Sequence, residues 1–361
     1  MNPGLKYNNK RNFIWVDYIK GVACLFIVFV HFNNRFSAPA FSNIFAAGGR
    51  GVDVFFIISG FLTMISLNNK KDGETLIAWY RKRIVRLAPL YYIAIILSLI
   101  VFRSSGGGVE YWLGSQKKVT ITNILAHFMF LHGLNPYYAD SIIGVEWYIG
   151  ILVLLYAVSP LIHKYITSLK RAIIFFFISY ISSKVFVKVL LALIVGNAEI
   201  PDLYLWEHYI RSFSLFAMLP VYAIGILFFY LNQNHNVREF FENKIFRNVA
   251  LVGSVIIFLF ACNILLINRS EIWWLGFVLI FLSLNSAKAL IGQKIFTVIG
   301  KYSYGIYLFH YSIVSKWNMY DVRYSIISWV FGLSVVVISA FLLSIFFTYL
   351  EKGIVMNFKC R

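Results

Sequence analysis

Apolar residues run along this chain in blocks of about twenty, separated by short segments rich in Lys, Arg, Asn and Gly. A bilayer core of roughly 30 Å is crossed by about 20 apolar helical residues. Ten blocks meet that length, at about 13–33, 51–68, 87–102, 143–163, 172–195, 210–230, 248–267, 271–287, 296–317 and 324–349. Tryptophans stand near several of their ends (Trp15, Trp79, Trp112, Trp147, Trp206, Trp273, Trp274 and Trp317), as in the aromatic belts of membrane interfaces. The pattern predicts an all-α polytopic membrane protein of about ten transmembrane helices. The stretch ITNILAHFMFLHGL (121–134) is apolar but short, and reads as an interfacial or re-entrant helix after the third span. A true span there would move the C-terminus to the other side. Neither a heptad pattern, an internal repeat nor a long extramembrane segment divides the chain, so residues 1–361 read as one membrane domain.

Composition agrees with that pattern and narrows it. Hydrophobic residues make up 60% of the chain and charged residues only 13%, where a soluble domain carries roughly 25% charged. The mean hydropathy is +0.74. So few charges cannot cover a water-facing surface, which excludes soluble globular, disordered and fibrous classes. Thirty-three Lys and Arg oppose fifteen Asp and Glu, for a net charge of +18. Such an excess marks either nucleic-acid binding or membrane topology. Its placement decides. With the N-terminus inside, twenty-two of the thirty-three basic residues fall at cytoplasmic ends, nine fall outside, and Lys184 and Lys188 lie within span five. The asymmetry predicts cytoplasmic N- and C-termini and removes nucleic acid as a partner.

Smaller features add little. Cys24, Cys262 and Cys360 are too scattered for a disulfide framework or a metal site, and no metal is expected. The segment MNPGLKYNNKRNF lacks a small-residue cleavage site, so the first apolar block reads as a retained span. Ser104–Gly108 is a flexible loop tip without the Lys-Ser/Thr of a phosphate loop.

Ionisable residues inside spans are costly, which makes each a candidate for function. In span one, Asp17 and Lys20 lie near the cytoplasmic end, and His31 follows eleven residues later. At 1.5 Å per residue the imidazole sits roughly 16 Å deeper, on the same face as Lys20. Span two runs back and places Asp53 level with His31. A carboxylate there would hold the imidazole tautomer and raise its basicity. The plainer alternative is that His31 bonds between helices and Asp53 caps span two. Next, WYRKRIVRLAP carries Arg83 and Arg86 three residues apart, on one helical face at the cytoplasmic interface. Paired guanidinium groups suit the phosphates of a nucleotide-bearing substrate, whereas stop-transfer charge or anionic-lipid contact is the ordinary alternative. Lys184 and Lys188 read as structural or lipid-facing. His127, His132, His163, His208 and His235 read as loop or interface histidines without metal-ligand partners. Cys24 is a poor acyl-carrying nucleophile, because a buried thiol holds little thiolate.

Taken in order, Lys20-x10-His31, GGRGVDVFFIISGF (48–61) and Arg83-Ile-Val-Arg86-Leu-Ala-Pro89 resemble the three successive signatures of the acyltransferase-3 family. Gly300-Lys-Tyr-Ser-Tyr-Gly-Ile-Tyr-Leu-Phe-His310 resembles its ninth-span sequence. The resemblance implies an integral membrane acyltransferase of the bacterial inner membrane. It implies acetyl-CoA as acyl donor, with no bound cofactor, and a hydroxyl of O-antigen or another surface or lipid-linked glycan as acceptor. By the same resemblance His31 is the essential histidine, Lys20 holds the basic position of the first motif, and Arg83 and Arg86 lie on the donor side. His31 is then expected to act as general base, with Asp53 or a neighbour orienting it. Asp17, Ser59, Trp147, Tyr304, Tyr307 and His310 are candidates for lining the same cavity, the last three with helix packing as the alternative.

The chain departs from the family in one place. Members often carry W-S-x-x-x-E at the start of span four. Here Trp147, Tyr156 and Pro160 keep the spacing, but Leu152 takes the Glu position, which puts a span-four carboxylate in doubt unless Glu146 replaces it. No fused C-terminal esterase-like domain is expected. Two rival functions remain: a transporter or exporter of glycan intermediates, and transfer of another acyl group such as succinyl.

Overall fold

The computed structural model describes residues 13–32, 47–71, 73–102, 119–195, 202–259, 270–287, 290–317 and 326–359. Every regular element among the described residues is helical. The α-helices are α1 (Ile14–Phe32), α2 (Gly51–Asn68, entered from a 3-10 turn at Ala47–Arg50), α3 (Leu76–Leu97), α4 (Ile121–Phe128) and α5 (Trp147–Tyr165). Next come α6 (Leu169–Val195), α7 (Leu203–His208), α8 (Leu215–Gln233), α9 (His235–Glu242) and α10 (Lys244–Leu259). The chain closes with α11 (Ser270–Asn285), α12 (Gln293–Lys301), α13 (Ser303–Trp317) and α14 (Ile326–Lys359).

Among the described residues, seven helical stretches are long and apolar enough to cross a bilayer: Ile14–Phe32, Ala47–Asn68, Leu76–Ile100, Trp147–Tyr165, Leu169–Ile194, Leu203–Gln233 and Ile327–Glu351. The other three predicted spans differ for separate reasons. The block at 248–267 is described only through α10, and residues 260–269 lie outside the described residues. Helix α11 is apolar but has 16 residues. The block at 296–317 is interrupted at Tyr302, giving α12 and α13. The third span starts earlier than its hydropathy suggests. Thr75 accepts a hydrogen bond from the Ala78 amide at 3.1 Å and caps α3, so the basic cluster around Arg83 and Arg86 is helical. The 121–134 stretch forms the short α4 and a 3-10 turn at His132–Leu134, too short to cross.

Apolar helices in lipid gain little from burying more apolar surface, so close backbone approach at small residues holds such bundles together. Helix α1 packs against α12, where an added Cβ at Gly21 would stand 2.1 Å from the Phe296 carbonyl oxygen. Helices α2 and α8 cross in the same way. A Cβ at Gly225 would stand 2.0 Å from the Ile57 carbonyl oxygen. Between these crossings Trp15, Phe61, Phe228 and Phe281 join α1, α2, α8 and α11, with ring centres 4.8–5.8 Å apart. These contacts tie the first two helices to later ones in the chain.

Candidate active site

A cavity of about 260 Å³ lies between α1, α2, α3, α5, the α12–α13 junction and α14. Lys20, Arg83, Arg86 and Lys301 line it, with Glu351 as the carboxylate among its lining residues. Tyr148, Tyr156, Tyr302, Tyr304 and Tyr307 supply hydroxyls, and Ser59 and Leu152 complete the α2 and α5 walls. A space with four cations against one carboxylate, walled by low-dielectric helices, is suited to an anion.

Two of these cations are held by their surroundings. Lys20 pairs with Asp17 at 2.7 Å, one helical turn earlier. Asp17 therefore acts behind Lys20 and is not itself among the lining residues. Arg83 sits in the corner of two nearly perpendicular rings, 5.2 Å from the Trp79 ring centre and 5.5 Å from that of Tyr156, and donates to the Leu62 carbonyl at 3.5 Å. Cation–π contact of this kind holds a guanidinium in place. The helical spacing of Arg83 and Arg86 puts both on the cavity face of α3.

The break at Tyr302 shapes the cavity floor. The backbone at the break keeps amide partners, with the Ile306 amide on the Tyr302 carbonyl at 3.1 Å, and side chains add to them. The Ser344 hydroxyl donates to the Tyr302 carbonyl at 2.8 Å, the Ser303 hydroxyl donates to the Gly300 carbonyl at 2.8 Å, and the Cys24 thiol faces the Ser303 carbonyl at 3.6 Å. Cys24 is thus a structural donor. The first turn of α13, Ser303 to Gly305, faces the cavity, and a helix N-terminus adds partial positive charge there.

Further along α13 the Tyr304 hydroxyl donates to the Leu87 carbonyl at 2.9 Å, and the Tyr307 hydroxyl donates to the Val145 carbonyl. Tyr307 meets Tyr148 edge-on at 5.5 Å, and the Tyr148 and Ser59 hydroxyls are 3.3 Å apart. This pair of tyrosines bounds the cavity. Beyond it His310 lies 5.9 Å from Tyr307, and His31 lies 5.2 Å from His310 and 5.1 Å from Tyr311, ring centre to ring centre. His31 and His310 sit behind the Tyr148–Tyr307 pair, outside the lining of the cavity.

Two expectations come out differently. Asp53 does not reach His31: Gly51 packs against Ala23 and Ile27, which puts Asp53 beside the middle of α1, and its carboxylate pairs with Arg50 at 3.3 Å, one turn before it on the same stretch. The imidazole that meets His31 belongs to His310. Trp147 does not line the cavity. Its ring stacks on Phe213 at 4.1 Å, nearly parallel at 8°, and its amide donates to Asp140 at 3.0 Å.

Glu146 does not stand in for the missing span-four carboxylate either. It is fully buried and gathers the loop before α5. The amides of Ile142 and Ile143 donate to one oxygen at 2.6 and 3.0 Å, and those of Gly144 and Val145 to the other at 2.6 and 3.0 Å. His127 adds a bond at 3.2 Å. Burial alone would raise this carboxyl, but His127 and the loop amides outweigh it and hold Glu146 below the usual carboxylate range. Neighbouring Asp140 is pushed up by burial and by the Glu146 charge. His132 stacks on His127 at 4.4 Å, and burial together with that neighbour holds it down to about 3. Both histidines are thus buried, His127 at the end of α4 and His132 in the turn that follows it. The loop before α5 rests on α13, where Gly144 (φ +97°) leaves no space for a Cβ against the Tyr311 ring.

Sequence reasoning missed Lys301, Tyr148, Tyr156 and Glu351 as cavity residues. Lys301 read as one more topology charge, and its cavity position depends on the break at Tyr302. Tyr156 was visible through its spacing from Trp147. Nothing local marks Glu351, which α14 brings in from the end of the chain.

The sequence profile described as an acyltransferase domain, that of the acyltransferase-3 family, matches residues 13–349. A protein of Acidianus two-tailed virus named "Putative acetyltransferase ORF330" is 23% identical over 303 residues, covering 82% of this chain and 81% of its own. "Protein 2 in picA locus" of Rhizobium radiobacter is 36% identical over 94 residues, 26% of this chain and 47% of its own length. No solved structure matches the chain. With the family profile covering nearly its whole length and several helices long enough to span a bilayer, the chain belongs to the acyltransferase-3 family and is a multi-pass membrane acyltransferase.

Proposed function

We propose that this enzyme moves an acetyl group from cytoplasmic acetyl-CoA to a sugar hydroxyl of O-antigen or another surface or lipid-linked glycan, in a bacterial inner membrane. The observation that carries the reading is the cavity holding Lys20, Arg83, Arg86 and Lys301. Phosphates of the donor meet these cations, with Arg83 and its neighbour Arg86 as the anchors. The pantetheine arm then runs past Tyr148 and Tyr307 toward His31. There the imidazole takes the proton of the acceptor hydroxyl, whose oxygen attacks the thioester carbonyl. The new bond joins sugar oxygen to acyl carbon, the C–S bond breaks, and the proton passes from His31 to the leaving thiolate.

The proposed topology has about ten spans and cytoplasmic termini. It counts α10 with its continuation, α11, and the broken α12–α13 pair as crossings, and it accounts for the 22:9 division of basic residues. It also puts the cation cavity at the inner face and His31 toward the outer half of the bilayer.

The test is incorporation of labelled acetyl from acetyl-CoA into glycan by membranes containing the protein. Ester-linked label on sugar is expected. Unlabelled glycan together with protein-dependent movement of an intact glycan lipid would replace this reading with transport.

A further inference from the structure

His310 carries an unused hydrogen-bonding atom beside the histidine that the proposed reaction depends on. Its ring is fully buried, at 0% exposure. Nδ1 faces the Tyr307 carbonyl at 2.7 Å and the Ile306 carbonyl at 3.2 Å. Carbonyl oxygens only accept, so Nδ1 carries the proton, and the neutral ring presents Nε2 as a lone pair. That Nε2 is buried with no hydrogen-bond partner among the described residues. Buried polar atoms are normally paired, and exceptions tend to have functional reasons. The neighbouring ring is His31, 5.2 Å away centre to centre and tilted by 46°.

We propose that His310 is the positioning residue of His31: a turn of the His31 ring brings its N–H onto the unpartnered Nε2 of His310, which leaves the opposite His31 nitrogen as the lone pair that takes the acceptor's proton. The proposal rests on His31 being the general base. It gives His310 the place that the sequence suggests for Asp53, whose carboxylate is engaged by Arg50. A histidine base works only in one tautomer, and the group behind it sets which. A backbone-anchored imidazole is suited to that task because its own tautomer is already fixed by Tyr307. When His31 takes up the proton of the hydroxyl, the imidazolium keeps donating to the same Nε2 until it returns the proton to the thiolate. Tyr311, edge-on to His31 at 5.1 Å, limits the ring to this side of the bundle.

The test compares His310→Gln, whose side-chain end reaches the Nε2 position, with His310→Asn, which reaches only the Nδ1 position. His310→Phe keeps the ring volume without an acceptor, and His31→Ala removes the base. Full-length protein in membranes is assayed for acetyl transfer from acetyl-CoA to glycan, with kcat and the KM for acetyl-CoA separated. The expected result is kcat lowered about a hundredfold in the Asn and Phe variants, with Gln within about tenfold of the parent and KM unchanged in all three. Equal activity of Asn and Gln overturns the proposal, as does wild-type kcat in the Phe variant while His31→Ala is inactive. If Asn does not fold, Phe against Gln decides in the same way. An active His31→Ala protein is a different failure, because it removes the base reading on which this one rests.

Discussion

The backbone of Gly300 lies so close to Asp17 that a Cβ at position 300 would stand 1.7 Å from the Asp17 carbonyl oxygen. This crossing of α1 and α12 joins the two ends of the chain at the cation cavity. Asp17 holds Lys20 on one side of the contact, and the Tyr302 break follows Gly300 on the other. Gly300→Ala is therefore expected to push the helices apart. Overpacking of this severity costs about 2–4 kcal/mol. A thermal melt of the purified protein should show a clearly lower Tm, and acetyl-CoA affinity should fall with it. An unchanged melt would mean that the crossing relaxes freely.

Arg83 and Arg86 are expected to dominate donor binding. Each charge-assisted bond to phosphate contributes about 1.5–3 kcal/mol, so Arg83→Ala or Arg86→Ala should weaken acetyl-CoA binding roughly tenfold to a hundredfold. Arg83→Lys keeps the charge but not the guanidinium that packs against Trp79 and Tyr156, and should recover only part of the loss. Titration of acetyl-CoA into detergent-solubilised protein measures this.

Much of this arrangement is legible in the sequence, and the illegible parts share one cause. Continuous apolar blocks reveal α1, α2 and α3, and the three-residue spacing of Arg83 and Arg86 reveals their common face. The Asp53–Arg50 pair is also local, yet the predicted depth points to His31 instead. The Tyr302 break falls in the polar run Gly300-Lys-Tyr-Ser-Tyr-Gly305, which is too short to stand out inside the longer apolar block, and Ser344 adds a donor to the Tyr302 carbonyl from far along the chain. His31 and His310 meet only after α1 and α13 pack. Glu146 read as a possible replacement for the missing carboxylate, since four amides converging on it cannot be foreseen from residue types.

Glu146 should matter for the loop, with activity affected only through it. Glu146→Gln keeps the shape but removes the charge that four amides and His127 surround, and Glu146→Ala leaves those donors unpaired. Losing one partner of a buried ionic group costs about 3–5 kcal/mol. Limited proteolysis should show new cleavage between residues 135 and 146 in the Ala variant, with Gln intermediate. Protection equal to the parent in both would contradict the role given to this carboxylate.

His132 makes the same loop sensitive to acid. Its folded-state pKa is held down to about 3 by burial and by His127, below the ordinary value of about 6.5. A depressed histidine contributes full stability above the unfolded pKa and loses it as pH falls toward the folded one. Stability should therefore decline below about pH 6.5, by at most about 1.4 kcal/mol per pH unit from this group. Melts at pH 7.5 and pH 5.5 should differ in the parent, and His132→Gln should narrow that difference. A difference of the same size in the variant would assign the acid sensitivity elsewhere.

The central claim is that His31 carries out proton transfer in acyl transfer from acetyl-CoA. Acetyl transfer to glycan by membranes containing His31→Ala protein, inserted at the parent's level and binding acetyl-CoA as the parent does, tests it most directly. Transfer is expected to fall by about two to four orders of magnitude with donor binding retained. Transfer at the parent's rate would contradict it.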